Sequence, residues 1–455
     1  MIIFEVIRMA SKYFRLVSVS NIFYTMYLVS PDFSKLLKEY LASLYRGRIP
    51  ITDLVSQSQF NKYLLNFIIS NSDCIESKLV EDLIKISCSN SITSERNIFS
   101  LICPSGDVHG GPSCTSSITI SGQEYYLKSR SSNIEIFWNS LNDLLGLPFH
   151  SPTPFFTSFD NTSFLQLGFK SANLRGIDLD LFFVRLGSLY ALLVLFGFTD
   201  AHKENFLVSD NSISLVDPET LFSSFAYKQS HEKSDSSFNP SLEFIDHTEF
   251  LYVNKFGQEF DPSESSNQFF SSTLFQLFQE RGLIPVDSSH LFLKGVSQVI
   301  NLVKSNFESI INLFKYTSPS DVRILIRSTR IYEFFLADFF YSSFFNGSLV
   351  AGFSLNRILK ETLRKSSFLF YPPVVINSLV EFESLNICSG LVPRVTLDQI
   401  FSPEYSIDFQ SFLISNLTSR LQPNYIDCMI NNARISVERL CFYNYHAHLP
   451  NTKAF

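Results

Sequence analysis

The most apolar long segment, Leu181 to Phe198, runs straight into a polar motif at Thr199-Asp200. Large apolar side chains fall on nearly every face of a helix drawn over it, so such a helix has to be covered all round. Arg185 lies inside the segment and polar residues follow without a break. Both features make it a buried helix and not a membrane span. The composition can supply the cover. Of 455 residues, 45% are hydrophobic and 17% charged, with 48 Phe and 19 Tyr. Such a chain buries large cores and is not disordered. At ~100–200 residues per domain, its length allows two or three domains. The net charge of −7 argues against broad nucleic-acid binding and fits ordinary solubility.

The run that follows the helix, Asp200 to Glu219, reads Asp-Ala-His-Lys-Glu-Asn, an apolar stretch, a polar turn, then Ser-Leu-Val-Asp-Pro-Glu. Phe206-Leu207-Val208 and Ile213-Ser214-Leu215-Val216 have strand character, and Asp210-Asn211-Ser212 is a turn signal. The resulting hairpin folds Asp217 back beside Asn205. An Asp, an Asn and a second Asp at this spacing suit kinase-type phosphoryl transfer. Asp200 would hold the attacking hydroxyl, and Asn205 and Asp217 would hold Mg²⁺ on a nucleotide phosphate. That chemistry needs positioned metal, a positioned acceptor and compensating positive charge. His202 is read as orienting the neighbouring carboxylates by hydrogen bonds, ahead of a role as base or metal ligand.

Three further clusters bear on phosphate. Gly106-Asp107-Val108-His109-Gly110-Gly111-Pro112 is a loop in which small residues let backbone N–H groups approach an anion; it is equally a plain Gly/Pro turn. A β-hairpin follows, Ser117–Ile120 and Gln123–Lys128, turning at Ser121-Gly122. It ends on Lys128, ahead of a helix from Asn133 to Leu145 that carries Glu135. A strand lysine before a helical glutamate is the kinase clamp on the α/β-phosphates, or else an edge-strand lysine that keeps a sheet soluble. The last cluster is Arg323, Arg327 and Arg330, interleaved with aliphatic residues. Arg suits bidentate phosphate binding; the alternative is a solvated face.

The seven cysteines are scattered and contain no C-x-x-C pair, which reads as free thiols in a reducing compartment. Cys428, Cys441, His446 and His448 fit no common zinc spacing. Glu5 and Arg8 interrupt the apolar start, so no signal peptide is expected and the location is read as cytoplasmic.

Taken in order, these segments resemble the dehydratase domain of class II lanthipeptide synthetases (LanM-type). The matching stretches are Gly106–His109, Tyr126-Leu127-Lys128-Ser129-Arg130, Thr199–Asn205, Val216–Phe222 and Arg327-Ser328-Thr329-Arg330-Ile331-Tyr332, with Arg185-Leu186-Gly187-Ser188 ahead of the central motif. The resemblance covers roughly residues 75–440, and its specificity lies in the combination. It implies an α+β, lipid-kinase-like two-lobed fold with extra helical regions at both ends. It also implies an enzyme that phosphorylates Ser or Thr of a precursor peptide with ATP and Mg²⁺. Phosphate is then eliminated to leave dehydroalanine or dehydrobutyrine.

By position, the resemblance puts Lys128 on the ATP phosphates, with Glu135 and Arg327 in the same binding group. Asp200 orients the peptide hydroxyl, Asn205 and Asp217 bind Mg²⁺, and Glu219 supports them. Asp107 and His109 line the phosphorylation site, and Arg323 and Thr329 serve elimination. Ser129, Ala201 and Pro218 depart from the family pattern without removing a chemical group. The family's zinc-binding cyclase is not matched, so dehydration without ring closure is expected, with a separate cyclase as a possible partner. The alternative is a kinase of protein or lipid that does not eliminate. The expected division is a helical region 1–95, a small lobe 96–150, a large lobe 151–345 with a mobile loop 223–266, and a mostly helical region 346–455.

Overall fold

The computed structural model describes residues 78, 81–82, 85, 99–109, 113–120, 123–168, 178–202, 205–209, 212–226, 250–251, 289–317, 319, 321–324, 359–360, 363, 373–388, 393–397 and 409–447. The protein is a mixed α+β chain with small antiparallel sheets. Its strands are β1 (Phe99–His109), β2 (Ser113–Ile120), β3 (Gln123–Lys128), β4 (Pro154–Thr157), β5 (Phe164–Leu167), β6 (Phe206–Ser209), β7 (Ser212–Leu215), β8 (Arg323–Ile324) and β9 (Val395–Thr396). Its helices are α1 (Asn133–Leu145), α2 (Leu179–Leu195), α3 (Ser289–Ser305), α4 (Phe307–Thr317), α5 (Pro373–Cys388), α6 (Phe409–Arg420) and α7 (Pro423–Ala447). Two compact units form: one from Met1–Ser132, Pro154–Gly168 and Ile326–Val395, the other from Asn133–Thr153, Phe169–Leu325 and Thr396–Phe455.

The first unit is built on a five-stranded antiparallel sheet in the order β1-β2-β3-β5-β4. Alternation decides its buried face: Leu127 lies across from Leu165 and one step from Ile118, and all three are buried. On the other face Lys128 pairs with Phe164, and both are buried. The expected hairpin forms, with Ser117 opposite Tyr126 and Ile120 opposite Gln123. The Gly106–Pro112 segment, by contrast, was expected as a loop ahead of that hairpin. Instead β1 runs through His109, which pairs with Ser113, and the pairing is irregular between Pro104 and Val108. Glycine and proline signal a break locally, but pairing with the strand that follows, β2, holds the chain through His109 in an irregular ladder.

The β4–β5 turn is fixed by side chains. Ser158 Oγ donates to Asp160 at 2.7 Å and Thr162 Oγ1 at 2.8 Å, while Lys85 pairs with the other carboxylate oxygen at 3.1 Å. The Ser158 and Thr162 hydroxyls, joined by Lys85, hold the Asp160 carboxyl far below the ordinary range although burial pushes it the other way. Asn161 takes a left-handed backbone with φ 52°, which Asn tolerates. Its side chain accepts from Ser132 Oγ at 3.0 Å and donates to Ser131 Oγ at 3.0 Å, fixing the chain just beyond Lys128.

The second unit is organised around α2. Asp178 caps its start by accepting from the Leu181 N–H. Gly197, at φ 68°, ends it, with Phe198 N–H bonded to Leu193 O at 2.9 Å. Every residue from Leu186 to Phe196 is buried, as the all-round apolar sequence requires. α3 covers one side through two glycines. A Cβ on Gly187 would overlap the Phe292 carbonyl, and one on Gly295 would overlap the Val184 carbonyl. Ser188 Oγ reaches the Val184 and Gly295 carbonyls at 2.9 and 3.3 Å across the same crossing. An aromatic cluster closes the far end. Phe137 of α1 stacks on Phe314 of α4 at 5.2 Å and meets Phe222 edge-on at 5.2 Å, with Phe196 against all three. Among the described residues, no helix is long and apolar enough to cross a membrane.

Candidate functional site

α2 delivers the motif. Its C-terminal glycine turns the chain out of the core, so Thr199 is buried while Asp200 keeps a side-chain exposure of 22%. β6 and β7 then pair in register, Phe206 with Leu215 and Ser209 with Ser212. The Val216 N–H bonds the Asn205 carbonyl at 2.8 Å, so Val216 stands opposite Asn205 and Asp217 follows one residue beyond. Ser151 Oγ donates to the Leu215 carbonyl and ties the hairpin to the segment after α1.

Within this frame Asp200 is the hub. Asn205 Nδ2 donates to the Asp200 carbonyl at 2.7 Å and lies 3.5 Å from its Oδ2. His202 Nε2 meets Asp200 Oδ1 at 2.9 Å, so His202 orients a carboxylate. Glu219 and Arg323 form a mostly buried pair, NH1 to Oε1 at 2.9 Å, with exposures of 12% and 5%. The Arg323 N–H also donates to the Glu219 carbonyl at 2.7 Å, and Leu397 N–H continues that edge to the Val322 carbonyl at 2.9 Å. Burial raises the Asp200 carboxyl, but the His202 hydrogen bond, the His202 charge and the Arg323 charge together outweigh it. The group is held below its ordinary range although the Glu219 charge pushes the other way.

The structure therefore brings Asp200, His202, Asn205, Asp217, Glu219 and Arg323 into one unit. Glu135 belongs to that unit too, fully buried in the first turn of α1. Lys128 belongs to the other unit, buried at the end of β3, as do the β1 residues Asp107 and His109, whose side chains lie outside the described features. Arg327, Thr329 and Arg330 lie outside the described residues, as do most of 1–95 and of 223–266.

Asn205 and Asp217 are hard oxygen donors of the kind Mg²⁺ takes. The Asn205 amide nitrogen is committed to Asp200, which leaves its Oδ1 as the acceptor. Among the described residues no group of three or more His, Cys, Asp and Glu side chains forms a metal cage.

Residues 59–248 match the family model described as "Domain of unknown function (DUF4135)". The match contains Lys128, Asp200, Asn205, Asp217 and Glu219 and ends before Arg323. No curated protein matches the chain.

Two features of the site escaped sequence reasoning. Phe222 is buried with φ 64°, and its N–H bonds the Phe196 carbonyl at 2.7 Å. Nothing in a Thr-Leu-Phe sequence marks a left-handed phenylalanine. Arg420, at the end of α6, reaches back to the segment after Glu219. A lone arginine at a helix C-terminus reads from sequence as ordinary dipole compensation.

Proposed function

We propose that this protein is an ATP- and Mg²⁺-dependent Ser/Thr dehydratase of the lanthipeptide type, acting on a precursor peptide through a phosphorylated intermediate. The lipid-kinase-like two-lobed fold, a separate cyclase as partner and a cytoplasmic location belong to the same reading. The observation that carries it is Asn205 bonded to Asp200, with the β6–β7 hairpin returning the chain so that Asp217 follows the residue opposite Asn205, and the Glu219–Arg323 pair close enough for both charges to act on Asp200.

In this reading Asp200, kept ionised, accepts a hydrogen bond from the substrate hydroxyl and aligns it toward the terminal phosphoryl group. His202 fixes the Asp200 carboxylate and Asn205 fixes its main chain. Mg²⁺, held by Asn205 and Asp217, would neutralise charge on the phosphates. Lys128 is assigned to the ATP phosphates by resemblance alone. The hydroxyl oxygen gains the phosphoryl group as its proton passes to Asp200, and ADP departs. Elimination then transfers the α-proton to a general base as the carbon–carbon double bond forms and phosphate leaves. Arg323 supplies positive charge for that departure, and Thr329 belongs to the same step by resemblance.

One observation favours the alternative of a kinase that stops at the phosphate ester. Arg323 is engaged by Glu219 through both side chain and main chain, as a structural arginine would be. Incubating the full chain with a Ser/Thr-rich precursor peptide and Mg-ATP separates the two by mass. Loss of one water per modified residue is expected. R323M should then accumulate phosphopeptide. A wild-type protein that leaves stable phosphopeptide supports the alternative, and one that consumes no ATP ends both readings.

A further inference from the structure

The acidic half of the site hangs on two short segments, one leaving α2 at Phe196–Asp200 and one running from Asp217 to Ala226. Main-chain bonds join them: Phe222 N–H to the Phe196 carbonyl at 2.7 Å and Ser224 N–H to the Gly197 carbonyl at 2.9 Å. The Phe196 and Phe222 rings also meet across the junction, and Arg420 spans it too. Its NH1 donates to the Val194 carbonyl in the last turn of α2, and its NH2 donates to Ser224 Oγ at 2.8 Å. The guanidinium lies over the Phe225 ring, 4.4 Å from the centroid, and 5.7 Å from that of Tyr425 at the start of α7. It is 4% exposed. Among the described residues no carboxylate pairs with it, and its Nε has no hydrogen-bond partner. Burying a cation is costly, and this one directs its hydrogen bonds to both sides of the junction of two chain segments.

We propose that Arg420 is a positioning residue: by bridging the end of α2 to Ser224 it sets the spacing between Asp200 and the Asp217–Glu219 pair. Among the described residues, its hydrogen bonds and ring contacts reach Val194, Ser224, Phe225 and Tyr425, none of them assigned to substrate, metal or nucleotide. It acts through Val194, Ser224 and Phe225, which gives the region beyond residue 396 a part in the geometry of a motif some 200 residues earlier. The consequence for turnover rests on the functional reading above; the bridging itself does not.

The test uses the full chain with R420M, R420K and S224A. Amide hydrogen exchange reads the bridge without reference to activity. In R420M the amides of Phe222 and Ser224 should lose protection while the α3 amides keep theirs. S224A, which removes only the hydroxyl, should show the same pattern more weakly, and R420K should fall between R420M and wild type. In the turnover assay R420M should raise the Mg²⁺ concentration for half-maximal rate about tenfold, the size expected for an outer-shell partner, with the peptide KM unchanged. Unchanged protection at Phe222 and Ser224 overturns the proposal. So does loss of protection spread through α3 as well, in both R420M and S224A, which would make Arg420 a plain stability residue. A wild-type chain without Mg-ATP turnover defeats the dehydratase and kinase readings, while the exchange pattern still decides the bridge.

Discussion

Asp200 shows how a single carboxylate is tuned by its neighbours. Burial alone raises it, and His202 together with Arg323 reverses that. A carboxylate depressed in the folded state stabilises the fold above its unfolded pKa, and that contribution is lost as pH falls through the lower folded value. The wild-type site should therefore stay ionised through the mildly acidic range. H202A removes the strongest opposing interaction and leaves burial in place. The acid limb of its pH–rate profile should move to higher pH, with the alkaline limb unmoved. An acid limb identical to wild type would mean that His202 does not set the charge of Asp200. At this scale the sequence was readable where a role depends on spacing along the chain, as with His202 beside Asp200 and Asn205 after it. It was silent where a role depends on conformation. Phe222 in a left-handed backbone and Arg420 buried between the end of α2 and Ser224 carry no mark in their residue types.

The elements of the second unit followed from periodicity and turn chemistry. The helix Asn133–Leu145 and the buried helix α2 showed as apolar patterns, and the β6–β7 hairpin as two apolar runs around a polar turn. The structure adds Gly146 after α1 and Gly197 after α2 as their ends. The β1 strand did not follow, because Gly106, Gly110, Gly111 and Pro112 advertise a loop and only pairing with β2 holds the backbone extended through His109. What the helical pattern could not reveal was the α2–α3 crossing. Gly187 and Gly295 look like two weak positions in two helices, yet each leaves room for a carbonyl of the other. Alanine at either one forces the helices apart, as overpacking does, at about 1–3 kcal/mol. G187A and G295A should each lower the thermal midpoint. The double variant should cost less than the sum of the two, because one displacement relieves both overlaps. Full additivity would show that the two glycines do not share a contact.

For the whole molecule, the decisive measurement is linkage between ligand and stability. If the site takes a nucleotide with its cation, Mg-ATP at about 100 times its dissociation constant should stabilise the chain by about 2.7 kcal/mol. The thermal midpoint should rise with Mg-ATP, and D217N should abolish the rise without lowering the ligand-free midpoint by a comparable amount. A midpoint that ignores Mg-ATP at every concentration would remove the nucleotide from the proposal. The sequence by itself determined a core-building α+β chain, the buried helix, the hairpin behind it, and the short list of oxygen donors those elements carry. All of these are written in residues close together along the chain, where periodicity and turn preferences act directly. Only the tertiary structure decided that Arg323, over a hundred residues after Glu219, closes on it through both side chain and backbone. The same holds for Arg420 bridging the end of α2 to Ser224, and for two glycines letting a pair of helices meet at their backbones. These are long-range choices among many possible partners of similar chemistry. Packing and the cost of leaving a charge or a backbone group buried without a partner make them.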